Sequence, residues 1–458
     1  MPPAPDAATA HPGEICIDVT QLRPGVHVRL PIPWIEHQFM FNSFVIADEE
    51  QARLIAAMEL PQLFCDPTRC TVPPLPAGEG APEATTASRP AADTEDAEDA
   101  GDASEGARLA ALSAAKMAEK RSRAGVMNEL RGRLDKAQQH YLGAARAVGG
   151  AIKGFTSNPR ESIRQVAAVS EESTTALLAD PDSAIVLIAE KAHDDGHAAH
   201  ALSVMTLALL LGKQAELPEQ ALRAIGIGAL LHDIGKLTIN PSLLRNTERN
   251  RHEEALYRTH CQNGHAAAAR AGSLSPPMLD AILHHHERYD GSGFPDGQSG
   301  SAISLAARMV AIANRFDNLV NPIDYRMAMS PSEALSTLWT REKNAFDGAL
   351  LQLFVRAMGV YPPGSIIRLS DGRIGAVVGS APANKPLLPK VMIYAPEVPR
   401  RQSIIVDLAK EAGGAGGTNE CALSVEQPLR LQERPEEELD YLLPRRKINW
   451  SYLPAQQA

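Results

Sequence analysis

The sequence predicts a mainly α protein: an all-helical central domain flanked by a small N-terminal α/β module and a small C-terminal β unit. Three observations predict it. From residue 107 to about 358, apolar positions recur at the spacing of amphipathic helices. Short β-like runs separated by turn signals stand before and after that stretch. Between the first module and the helices lies a segment with almost nothing to bury.

The N-terminal module, residues 14–72, opens on "ICIDV", Pro24-Gly25, "VHVRLPI" and "FVIADEE", which leads into a helical "EEQARLIAAM". Residues 73–106 are rich in Ala, Pro, Gly, Ser, Thr and acid and read as a disordered acidic linker. Residues 107–189 carry helix formers and mixed charge and read as a helical connector, a surface for a homodimer or a signalling-protein partner. After Pro362-Pro363-Gly364 the β-like runs return, with Asp371-Gly372 as a hairpin signal, so a small β unit is expected at 362–410. Residues 411–458 read as a mostly irregular tail.

Composition excludes some classes of function. Hydrophobic residues at 44% and charged residues at 22% are ordinary for a globular chain. A net charge of -10 argues against a general grip on a nucleic acid polymer, although a local site can still hold a small anionic nucleotide. Five scattered cysteines without a CxxC pair indicate a reducing compartment and no disulfide framework. With no signal-like N-terminus and no run long enough to span a bilayer, we expect a cytoplasmic protein with no membrane partner.

The chemistry concentrates in the helical centre. All histidines except His11, His27, His37 and His140 lie between His193 and His286. "AILHHHERYDGSGFPDG", residues 281–297, sets three histidines beside a glycine-rich loop. "GALLHDIGK", residues 228–236, ends an apolar helix on His232-Asp233, an imidazole next to a carboxylate whose two oxygens can face two metals.

With these motifs and "ARMVAIANRFDNL", residues of about 190–355 resemble the HD superfamily of metal-dependent phosphohydrolases, and within it the HD-GYP family of bacterial cyclic di-GMP phosphodiesterases. The N-terminal module and acidic linker resemble a domain often placed before it. The resemblance implies an HD-type domain at 190–358 with metal ligands His200, His232, Asp233, His260, His285 and His286, with Asp233 bridging. It places Lys236 as a catalytic cation near the scissile phosphate, and the loop Asp290, Gly291, Gly293, Phe294, Pro295 together with Arg326 as substrate-binding positions. The loop glycines permit close turns whose N–H groups can nest an anion. It implies two divalent ions, iron or manganese given the imidazole-rich donors, acting on cyclic di-GMP to give pGpG or GMP.

Several positions depart from the family pattern. Phe294 replaces the tyrosine of Gly-Tyr-Pro, Gly196 stands where some members carry a glutamate for a third metal, and Ile323 occupies an expected arginine position. Asn314 stands where an aspartate closes the metal site, and its amide oxygen brings no negative charge. Asp317, one turn on, is a possible substitute. Two readings follow: hydrolysis of cyclic di-GMP, or a weak or silent nucleotide sensor or scaffold. His284 has no counterpart in the resemblance and is expected to be structural or exposed, and His193 and His197 are expected not to ligate.

Overall fold

The computed structural model describes residues 10–76, 99–179, 196–411 and 423–443, except 12, 33–36, 40–41, 59, 383, 397, 399 and 401–402. Most of the expected linker (77–98), part of the connector (180–195, with His193) and much of the tail (412–422 and 444–458) lie outside the described residues. The chain divides into two compact units, Met1–Leu130 and Arg131–Ala458.

In the first unit β1 (Ile15–Ile17), β2 (His27–Arg29), β3 (Ser43–Val45) and β4 (Leu63–Cys65) form an antiparallel sheet ordered β1-β4-β2-β3. Helix α1 (Glu49–Ala56) is capped by Asp48, whose side chain accepts from the Gln51 amide. Ile17, Val28, Leu30, Leu54, Ile55 and Leu63 form the core, with Leu109 and Leu112 packed against it. These two belong to α2, Asp99–Gly154. Its first turns take in the end of the expected linker, residues 99–106, where alanine and acidic residues favour a helix start.

The second unit takes in the end of α2, followed by α3 (Pro159–Ala179), α4 (Gly196–Gln214), α5 (Glu219–Leu231), α6 (Pro241–Arg245), α7 (Arg251–Ala271), α8 (Pro276–His284), α9 (Leu305–Val320), α10 (Pro331–Thr340) and α11 (Gly348–Met358). Val148, Phe155, Ile163 and Val166 join Leu202, Met205, Ile225, Ile282, Ile312, Phe316 and Phe354 in one core. The expected connector is therefore corrected in part: its residues Tyr141, Val148, Ala151, Phe155, Ile163, Val166 and Val169 belong to the helical domain's own core. α4 is buried along almost its whole length, as a helix apolar on every side must be.

After α11 an antiparallel sheet runs β8-β7-β6-β5-β9, built from β5 (Ile366–Leu369), β6 (Ile374–Gly379), β7 (Lys390–Ile393), β8 (Ile405–Asp407) and β9 (Val425–Leu429). Short helices α12 (Leu408–Glu411) and α13 (Glu436–Leu442) accompany it. β9 and α13 lie within the tail expected to be mostly irregular. Pro428 argues against a strand, but β9 lies at the sheet edge, where a missing N–H is tolerated. No helix among the described residues is long and apolar enough to cross a membrane.

Candidate metal centre

Helix ends deliver the donors. α5 stops at His232, which caps it, and Asp233 turns the chain into the short 3-10 segment Ile234–Thr238. α8 likewise ends on His285, followed by His286. His260 comes from the middle of α7 and His200 from α4. Gly235 makes the meeting possible: a Cβ there would collide with the carbonyl oxygen of His260 and come within 2.5 Å of the Gly264 nitrogen. Without that close approach of backbone to backbone, Asp233 and His260 would be held apart.

The imidazoles share one orientation. His232, His260 and His285 each donate Nδ1–H to the carbonyl three residues earlier, those of Ala229, Tyr257 and Ile282, at 2.6, 2.6 and 2.9 Å. His200 instead places Nδ1 2.6 Å from Asp317 Oδ2. In every case Nε2 is left to face inward with its lone pair, as metal-ligating histidines require. His232 Nε2 lies 3.2 Å from His200 Nε2, and His260 Nε2 lies 3.3 Å from His285 Nε2.

Asp233 sits between these two pairs. Its Oδ2 is 3.6 Å from His200 Nε2 and 3.3 Å from His232 Nε2, whereas its Oδ1 is 3.5 Å from His260 Nε2 and 3.7 Å from His285 Nε2. Lys236 Nζ holds Oδ2 at 2.6 Å. The donor atoms of His200, His232 and Asp233 lie within 4.8 Å of one another, and so do those of His260, Cys261, His285 and His286.

The electrostatics favour ligation. Burial pushes His285 down to about 3 and His260 to about 4, and holds His286 well below the usual range, so these rings stay neutral with lone pairs available. Burial also lowers His200, against the pull of Asp317. For Asp233 burial acts upward, but His232 and Lys236 together outweigh it and keep the carboxyl well below the carboxylate range. His286 Nε2 and Asp233 Oδ1 are buried without a hydrogen-bond partner. Facing lone pairs and orphaned buried acceptors are costly unless a cation draws them together, so this donor set fits metal.

Other expected residues have different roles. Asn314 is buried on α9, and its Oδ1 accepts a 2.7 Å hydrogen bond from Asn318. Asp317 spends its oxygens on His200 and on Asn321 Nδ2, 2.8 Å away, so it orients a ligand instead of replacing Asn314. Phe294 stacks on His286, with centroids 4.5 Å apart and planes 19° off parallel, and the Arg258 guanidinium lies 4.8 Å from the Phe294 centroid. His284 has its ring nitrogens 2.6 Å from Asp280 and 2.9 Å from Asp296, and His197 is exposed.

Two groups of residues expected at the substrate have partners within the chain. In the loop the amides of Gly291, Ser292, Phe294 and Asp296 already donate to Arg288 O, Asp290 Oδ1, His286 O and Glu287 Oε1, and Pro295 has none, so these positions have no N–H to spare for an anion. Gly293 is needed for packing, since a Cβ there would strike the Arg288 amide nitrogen. The loop places Phe294 on His286. Arg326 lies on an exposed turn with its guanidinium forked onto Asp324 at 2.9 and 2.8 Å.

Sequence reading missed Tyr257, whose ring lies beneath the Arg249 guanidinium at 3.8 Å and 5.0 Å from the His260 centroid. Its place three residues before His260, on the same helical face, was the available signal.

Comparison with known proteins agrees with this geometry. The HD domain family matches residues 177–350, and a domain of unknown function (DUF3391) matches residues 14–166. A cyclic di-GMP phosphodiesterase of Pseudomonas aeruginosa is 32% identical over 253 residues, 54% of this chain and 59% of that protein. The cyclic di-GMP phosphodiesterase response regulator RpfG of Xanthomonas campestris is 28% identical over 240 residues, covering 52% of this chain and 58% of that protein. A 3'3'-cGAMP-specific phosphodiesterase of Vibrio cholerae is 32% identical over 144 residues, 30% of this chain and 32% of that protein. The chain thus spans less than two thirds of the length of these relatives. The stretch that matches the HD domain thus holds the histidines and aspartate that converge as a set of donors able to hold a metal, together with the Gly-Phe-Pro loop.

Proposed function

We propose that this chain is a cytoplasmic, metal-dependent phosphodiesterase that hydrolyses cyclic di-GMP to pGpG or GMP with two divalent ions, iron or manganese. The observation that carries this reading is the position of Asp233, one oxygen toward His200 and His232 and the other toward His260 and His285. Such a carboxylate is suited to span two nitrogen-rich subsites. When bound, a pair of divalent ions supplies Lewis-acid charge for a phosphodiester and acidifies water.

The chain's own residues do the rest. His200, His232 and Asp233 would hold one ion, and His260, His285 and His286 with the other Asp233 oxygen the second. Lys236 fixes the rotation of the Asp233 carboxylate and brings a positive charge to the site for a phosphate. Asp317 keeps His200 Nε2 turned inward. Phe294 stacks on His286 and brings the Arg258 guanidinium beside it, which adds positive charge for an anionic substrate at the rim.

A second reading, binding with weak or no turnover, has its own observation: the Asn314 oxygen is neutral and already occupied by Asn318. One experiment separates them. Protein loaded anaerobically with iron(II) or manganese(II) is assayed in parallel for cyclic di-GMP binding by calorimetry and for products by chromatography. Hydrolysis supports the enzyme, binding without product supports the sensor, and neither with either metal contradicts both.

A further inference from the structure

Cys65 and Cys70, apart in the sequence and in no recognised motif, face each other in the N-terminal unit with Sγ atoms 3.4 Å apart. Cys65 ends β4 and is fully buried, while Cys70 follows the 3-10 turn Pro67–Arg69 and is half-buried. The turn is fixed without help from sulfur. Asp66 caps it by accepting from Thr68 N at 3.0 Å and Thr68 Oγ1 at 2.6 Å. Cys70 Sγ is steadied by the His27 amide at 3.2 Å and by Asp66 O at 3.4 Å. Folding alone therefore aims the two sulfurs at each other, and a disulfide would need them to close by only about 1.4 Å.

We propose that Cys65 and Cys70 form a reversible disulfide by exchange with a low-molecular-weight disulfide, which makes the N-terminal unit a thiol-redox site. Cys70, the member reachable from solvent, attacks one sulfur of the small disulfide as a thiolate. One small thiol leaves, and Cys70 is held in a mixed disulfide. The Cys65 sulfur then attacks the Cys70 sulfur, the Cys65–Cys70 bond forms and the second small thiol departs. The protein thiols give up two electrons and two protons, and the small disulfide takes both as two thiols.

The order of attack follows from the surroundings. Burial, with Cys70 alongside, pushes the Cys65 thiol up to about 12, which unfits it for the first, intermolecular step. Among the remaining cysteines, Cys16 is exposed with its sulfur 3.9 Å from Gln62, and Cys261 is buried in the helical unit. In a reducing compartment a disulfide of this kind forms transiently and responds to the thiol pool.

Trypsin provides the test, because it cleaves after Arg69, between the two cysteines. The full-length protein is equilibrated with mixtures of reduced and oxidised glutathione, alkylated, digested without reduction and mapped by mass spectrometry. We expect the peptide ending at Arg69 and the one beginning at Cys70 to appear as one cross-linked species, lighter by about 2 Da than their sum. Dithiothreitol should release both. Cys70→Ser, a change at the half-buried member, should leave Cys65 fully alkylated once the protein is unfolded. Separate alkylated peptides at every glutathione ratio, a glutathione adduct that persists on Cys70, or a cross-link from Cys70 to Cys16 or Cys421 would each overturn the proposal.

Discussion

His200 and His232 approach Asp233 from the Oδ2 side, whereas His260, His285 and His286 gather on the Oδ1 side, and the two sides are supported differently. The Oδ1 side has three imidazoles, two fixed by backbone carbonyls, and an Asp233 oxygen with no hydrogen-bond partner. On the Oδ2 side there are two imidazoles, and the Asp233 oxygen there is shared with Lys236. One of those imidazoles depends on the Asp317 carboxylate, and the buried Asn314, one turn from Asp317 on α9, contributes no charge. The comparison teaches that ligand count alone does not describe the site. The Oδ2 side is the one whose donors have most competition.

The strongest way to break this comparison is Asp233→Asn, which removes the carboxylate that, among the described residues, faces both sides. Metal affinity should fall by more than the roughly 10–100-fold that losing an outer partner costs, with both ions lost on elemental analysis. Retention of one ion at full occupancy would show that Asp233 serves one side only. Next, His232→Ala should cost one whole ion, because only His200 and the Asp233 oxygen shared with Lys236 would remain on that side, while His286→Ala should weaken the opposite ion without abolishing it. Equal losses in the two variants would erase the distinction between the sides.

Asp317→Asn should lower affinity about 10–100-fold on the Oδ2 side alone, since the imidazole loses the carboxylate that turns Nε2 inward. Asn314→Asp should act oppositely and raise affinity there by roughly tenfold, as each added ligand charge tightens a divalent site. Asn318 Nδ2 would still donate to the new carboxylate, so that hydrogen bond need not be lost. Metal titration followed by calorimetry reads both, and unchanged binding in Asn314→Asp would place that residue outside the site. The smallest effect on metal is expected of His284→Ala. It should leave metal content intact and cost about 1–3 kcal/mol of stability, because Asp280 and Asp296 lose their common partner.

Much of this site could be read from the sequence, because its residues fall in compact motifs at helix ends, where spacing is informative. His232-Asp233 and His285-His286 each follow an apolar helix directly, and the structure brings both pairs to the same point. Asp317 was visible as a residue but not as the Nδ1 partner of His200, since 117 residues separate them. The loop 290–297 invited an anion-nest reading because glycine content does not reveal which amides are already taken.

Fold boundaries failed for a related reason. Residues 141–166 looked like a connector because mixed charge on one helix face hides an apolar stripe whose partner is distant in the chain. β9 was obscured by Pro428, which only its position at a sheet edge explains. The pairing of Cys65 with Cys70 depends on a strand end and a turn meeting in space, and five-residue spacing does not signal that.

The central claim is that Asp233 spans two metal subsites, and electron paramagnetic resonance of the manganese-loaded protein tests it most directly. At saturation the account predicts an exchange-coupled Mn(II) pair in the wild type and loss of that coupling in Asp233→Asn. A wild-type spectrum showing only isolated Mn(II), at whatever loading, would contradict it.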